Sequence, residues 1–281
     1  MVMKPNYMLI GASKCGTSTV CGYLSRHPDV FMVECKEPQF FSCDDIYQRG
    51  IKWYESLYND VANEKMRGEG SNLYTMKEMY PNTISRIVSY TNKLKLIYCV
   101  RNPITRIMSY WLEMRAHGGE DVHYNFNTAV KLNRDRLVDS SNYWQQINVY
   151  REFFSDDDIH IIFFEELIKD PVNVMKNCFE FLTVDPEQYN FEEHLHIGKT
   201  AGRKMPSVTL SRMREYAIFR SMVKLIPESI RVPMKRKLFF KKINGKPEWD
   251  IKTKQWVAEV LGPDTNKFLE FYGKPNNYWE L

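Results

Sequence analysis

A doubly wound α/β fold with a parallel sheet is what the sequence predicts, and three observations predict it. Apolar runs at 7–10, Lys95–Val100 and 160–164 have the length and composition of buried strands. Helical patterns stand between them, and such alternation is the mark of a parallel sheet flanked by helices. The first run stops at Gly11, passes through a small-residue loop and enters a helical pattern at Thr17–Leu24, a P-loop-type strand, loop and helix.

The remaining elements follow in order. His27-Pro28-Asp29 makes a turn before a short strand at 30–33, and a charged, proline-marked loop then carries Glu37 into Phe40-Phe41. Residues 50–58 are amphipathic and aromatic, and 67–72 form a polar, glycine-rich turn. A helix is predicted over 81–90, and another over 104–114, opened by Pro103, whose missing N–H is an orphan at a helix start. Residues 115–127, with His117, His123 and a Gly-Gly pair, read as a loop able to act as a substrate lid. Helices at 143–154 and 171–182 flank the strand at 160–164. Residues 194–206 are polar and basic, with the composition of an anion-clasping loop.

Nothing in the composition divides the chain, so 1–281 is expected to be a single domain with a basic, partly helical segment at about 212–250. A hydrophobic content of 43% suits a globular core. No run approaches the roughly 18 apolar residues of a membrane span and no signal-peptide pattern is present, so the cytoplasm is the expected location. Six cysteines, at 15, 21, 35, 43, 99 and 178, show no CxxC pair and no companion histidines, which favours buried thiols over zinc or disulfides. Between Arg203 and Lys246 stand 13 Lys or Arg against two acids, a block of +11 that leaves −7 for the rest of a chain whose total is +4. Such a block means an anionic partner or a solvated face.

The loop after the first strand carries the chemistry. A helix N-terminus offers backbone N–H groups and a positive dipole to an anion, and Thr17, Ser18 and Thr19 add hydroxyls. Gly11 and Gly16 have Walker A spacing, but Thr17 stands where that motif needs its lysine, and the lysine is Lys14. A different anion and no metal requirement follow; a plain strand-to-helix turn is the alternative. Cys15, at the helix start, is the thiol whose pKa would fall. Arg101 ends the strand at Lys95–Val100, so it should face the same crevice as Lys14. Ser109 lies about two turns into the next helix.

These residues resemble the sulfotransferases that depend on 3′-phosphoadenosine 5′-phosphosulfate (PAPS), most of all the heparan sulfate N- and 3-O-sulfotransferase domains and their bacterial relatives. The loop from Ser13 to Thr19 is similar to the family's 5′-phosphosulfate loop. VRNPITRIMSYW matches its R-N-P strand end and following serine, and Gly202-Arg203-Lys204-Met205-Pro206 its G-R-K-Y-P cofactor loop. The resemblance implies that Lys14, Cys15, Gly16, Thr17, Ser18 and Thr19 hold the 5′-phosphosulfate and that Arg101 and Ser109 bind the 3′-phosphate. It also implies that Gly202, Arg203 and Lys204 close over the nucleotide, leaving adenosine 3′,5′-bisphosphate (PAP) as product. Glu37 is then the base, with His117 second and Glu69 third. Two departures stand out: Gly70 replaces a lysine, and a cysteine pair is missing. The acceptor is a small molecule or a saccharide, anionic if the basic segment faces it, and no nucleic acid is expected. A P-loop nucleotide kinase and a polyanion- or membrane-surface-binding module are the rival readings.

Overall fold

The computed structural model describes residues 4–33, 37–116, 122–192 and 247–281, and the backbone alone at 204–206 and 240–242. The first apolar run becomes the centre of the sheet: β1 (Tyr7–Gly11) is buried at every position. β2 (Val30–Met32), β3 (Met66–Gly70), β4 (Lys95–Val100) and β5 (Ile159–Phe163) complete it in the order β2-β3-β1-β4-β5, with every neighbouring pair parallel. Both faces of a parallel sheet are covered, which is why β1 and β4 read as unbroken apolar runs rather than alternating ones.

α1 (Thr17–Leu24) leads from β1 toward β2; α2 (Asp44–Tyr47) and α3 (Ile51–Ser56) precede β3, and α4 (Thr83–Tyr90) precedes β4. Between β4 and β5 come α5 (Pro103–Ala116), α6 (Phe126–Leu132), α7 (Arg134–Leu137) and α8 (Tyr143–Arg151). α9 (Phe164–Lys169) and α10 (Pro171–Phe181) follow β5, and α11 (Ile251–Phe271) lies near the end of the chain. The main core joins the strands to α1, α8 and α10, and a smaller one packs Ile107 and Trp111 of α5 against Val130, Val257 and Leu261. α11 docks on α8 through Asp264, whose carboxylate oxygens accept from Trp144 N at 3.0 Å and Gln145 N at 2.9 Å, two orphan amides of that helix. Among the described residues, no helix is long and apolar enough to cross a membrane.

Two expectations need correction. The glycine-rich stretch at 67–72 is not a turn but mostly β3, next to the central strand. Its glycines serve close strand packing, since a Cβ at Gly68 would lie 2.5 Å from the Tyr7 carbonyl oxygen. Within the expected basic helical segment, Phe240–Lys242 is a strand, β7, paired antiparallel with β6 (Lys204–Pro206). Aromatic residues at 239 and 240 favour such pairing. Residues 207–239 and 243–246 lie outside the described residues.

Candidate active site

The strand order reverses between β1 and β4, and the carboxyl ends of these two strands open the crevice in which ligands of such sheets bind. Beyond β1, Lys14 and Gly16 take left-handed backbone conformations, at φ 70° and 89°. Gly16 must be glycine for a second reason, because a Cβ would meet Phe164 Cδ2 at 2.8 Å. The amides of Thr19 and Val20 close on the Gly16 carbonyl at 2.9 and 3.1 Å, so α1 begins at once and the amides before them stay available to an anion. The Thr17 and Thr19 side chains are largely buried, whereas Ser18 is exposed.

Beyond β4, the Arg101 guanidinium reaches this loop. Its Nη1 donates to the Lys14 carbonyl at 3.3 Å, its Nε donates to Thr105 Oγ1 at 3.0 Å, and its plane sits 4.5 Å from the Phe164 ring centre. The structure thus brings the Arg101 side chain onto the backbone of Lys14, the residue expected to share its crevice. The Lys14 ammonium donates to the Glu113 carboxylate of α5, a partner that sequence reading missed. Ser109 stands on the same helix, partly exposed.

Cys15 faces inward. Its thiol lies 3.6 Å from Tyr143 OH, its amide donates to the Ala12 carbonyl at 3.2 Å, and burial raises its pKa against the opposing pull of Arg106. The expected reactive thiol is therefore a core group, because the helix dipole is outweighed by desolvation. Arg106 was also missed, although an arginine flanked by Ile104 and Ile107 on a helix was its signal. Fully buried, it donates from Nε to the Ser13 carbonyl at 3.0 Å and from Nη1 to Ser140 Oγ and Ser141 Oγ at 3.0 and 2.6 Å, tying the loop after β1 to the turn after α7.

Glu37 shares a cavity of about 620 Å³ with Thr17, Ser18 and Asn72, and Leu9 and Met32 supply apolar wall. Lys14 and Arg101 do not line this cavity. The Glu37 carboxylate accepts from Asn72 Nδ2 at 2.7 Å and Gln39 Nε2 at 3.3 Å. Gly70, the residue that departs from the N-sulfotransferase pattern, is part of the wall. Behind Glu37 lies Glu69 of β3, wholly buried; burial raises its pKa to about 7, opposed by hydrogen bonds from Tyr74, Ser71 and Tyr54. Of the other expected site residues, His117, Gly202 and Arg203 lie outside the described residues. Lys204 is described in backbone only, in β6, which runs beside α5.

Comparison with known proteins gives a consistent result. The profile described as "Sulfotransferase domain" matches residues 4–224. Heparan sulfate glucosamine 3-O-sulfotransferase 5 of Mus musculus is 28% identical over 198 residues, covering 66% of this chain and 56% of that protein. The bifunctional heparan sulfate N-deacetylase/N-sulfotransferase 4 of Mus musculus is 26% identical, over 72% of this chain and 27% of that protein. The chain thus spans about half the length, or less, of these curated relatives. Among solved structures, a sulfotransferase from Alicyclobacillus acidocaldarius superposes with a TM-score of 0.68 at 22% identity, covering 98% of each chain, and shares the fold.

Proposed function

Since the chain belongs to the sulfotransferase domain family, we propose that it moves the sulfuryl group from PAPS to a hydroxyl or amine of an acceptor. The observation that carries this reading is the shared cavity, in which the Glu37 carboxylate meets the hydroxyl-bearing first turn of α1. The donor set also suits the nucleotide: Lys14, Arg101, the Thr17 and Ser18 hydroxyls and the amides opening α1 are cations or hydrogen-bond donors, as phosphate and sulfate oxygens require.

In this reading the acceptor oxygen or nitrogen attacks sulfur in line, and the bond from sulfur to the bridging oxygen of the 5′-phosphate breaks. The bonding pair leaves with that oxygen, where Lys14 offsets the growing charge, and the acceptor proton passes to Glu37. Holding the two reactants in line is most of what the protein contributes, as in phosphoryl transfer. Arg101 and Ser109 take the 3′-phosphate, with Arg203 and Lys204 closing over the nucleotide. Relatives named for heparan sulfate glucosamine support a saccharide as acceptor.

Calorimetry with PAP and ADP tests the nucleotide assignment. PAP should bind tenfold to a hundredfold more tightly, the worth of about one or two charge-assisted hydrogen bonds to the 3′-phosphate. Equal affinities would remove Arg101 and Ser109 from that role. Transfer of label from ³⁵S-PAPS to N-desulfated heparan sulfate, with 4-nitrophenol as a small acceptor beside it, tests the reaction itself.

A further inference from the structure

The turn after β3 holds the loop that carries Glu37 at three points. Ser71 Oγ accepts from Gln39 N at 2.9 Å, Asn72 Nδ2 donates to Glu37 Oε1 at 2.7 Å, and Tyr74 OH accepts from Phe41 N at 3.4 Å. Two of these three groups are themselves held by one carboxylate. Glu69 Oε2 accepts from Ser71 Oγ at 2.8 Å and Glu69 Oε1 accepts from Tyr74 OH at 2.6 Å, both in the interior. The loop they hold contains Glu37 at φ 62° and Gln39 at φ 54°. Side-chain-bearing residues keep such conformations only where the surroundings over-determine them.

We propose that Glu69 is a positioning residue: its carboxylate orients the Ser71 and Tyr74 hydroxyls so that their lone pairs hold the Gln39 and Phe41 amides, and this fixes the backbone from which Glu37 meets the acceptor. The inference rests on the reading of Glu37 as base. It assigns Glu69 a role different from that of a second base, since Glu69 is fully buried and both its oxygens are engaged.

An ionised carboxylate suits both arms without rearrangement. Each of its oxygens accepts a hydroxyl proton, which leaves each hydroxyl oxygen to accept an amide. A protonated acid or an amide in its place must donate to one hydroxyl, and that hydroxyl then has to turn its own proton elsewhere. The groups facing Glu69 are Tyr7 of β1, Tyr54 of α3, Tyr58 beyond it, Tyr74, Tyr150 of α8 and, across the loop, Glu37. Burial raises all of these tyrosines, so they stay neutral through the neutral range while Glu69 itself titrates at about 7. The clamp therefore tightens as pH rises through that value.

The test is amide hydrogen exchange at Gln39 and Phe41 in the full chain, wild type against Glu69→Gln. The variant should exchange about tenfold faster at one or both amides, while β1 and β4 amides and PAP affinity hold their wild-type values. In the wild type, protection of these two amides should fall as pH drops below about 7, and in the variant it should be flat. Unchanged protection at both amides overturns the proposal. Should Glu69→Gln fail to fold, Ser71→Ala should release Gln39 alone and Tyr74→Phe should release Phe41 alone; release of neither also overturns it.

The catalytic consequence is read with ³⁵S-PAPS and whichever probe acceptor takes label. Glu69→Gln should lower kcat by about tenfold or more with KM for PAPS unchanged, and the Glu37→Gln, Glu69→Gln double variant should be no slower than Glu37→Gln alone. Additive losses would mean that Glu69 does not act through Glu37. A wild-type protein that labels neither probe and binds no PAP defeats the sulfotransferase reading, whereas the exchange measurement still decides the clamp.

Discussion

Lys14 is ion-paired with Glu113, and Glu37 is held by Asn72. In the proposed mechanism each acts on charge or proton in the transition state. Lys14→Ala and Glu37→Gln should therefore each leave a folded protein with turnover reduced about a hundredfold or more, checked by ³⁵S transfer alongside circular dichroism. Lys14, Gly16 and Arg101 were legible because loop spacing and strand ends are local patterns. Glu37 was singled out only through the family resemblance, since a lone glutamate after a strand has no signature of its own. Arg106 and the burial of Glu69, which the resemblance offered only as a third base, were obscured because burial depends on partners such as Ser140 and Ser13, 34 and 93 positions from Arg106, and on the Ser71 turn.

At the scale of elements, the strands at Lys95–Val100 and 159–163 matched their apolar runs, whereas β3 did not look like a strand at all. Its sequence, MRGEG, carries two glycines and two charged residues, because it is packed tightly against Tyr7 and uses its carboxylate inward. β5 offers a measurable consequence. His160 stacks on Phe181 of α10 with ring centres 5.0 Å apart, and desolvation lowers its pKa to about 4. The unfolded chain takes up this proton near pH 6.5 and the folded chain near 4, so stability should be lost as pH falls through that window, by at most about 3 kcal/mol. Urea denaturation of His160→Leu between pH 7 and 4 should show a shallower decline than the wild type.

For the whole molecule, the last residues return to the end of β4. Trp279 is buried and stacks on Phe268 of α11 at 6.2 Å, and the Glu280 carbonyl accepts from Asn102 Nδ2 at 2.9 Å, next to Arg101. Removing 275–281 should lower Tm by several degrees, as expected for losing a buried aromatic. It should also weaken PAP binding, and calorimetry that finds PAP affinity unchanged would separate the tail from the nucleotide site. One local feature limits how this chamber can be reshaped. A Cβ at Gly70 would come within 3.0 Å of Cys21 Sγ and 3.5 Å of Leu9 Cδ2, so any larger residue at this wall of the chamber requires the Cys21 side chain to give way by a few tenths of an ångström. Met32 and Val33, which also line the chamber, are other positions from which its shape can be changed.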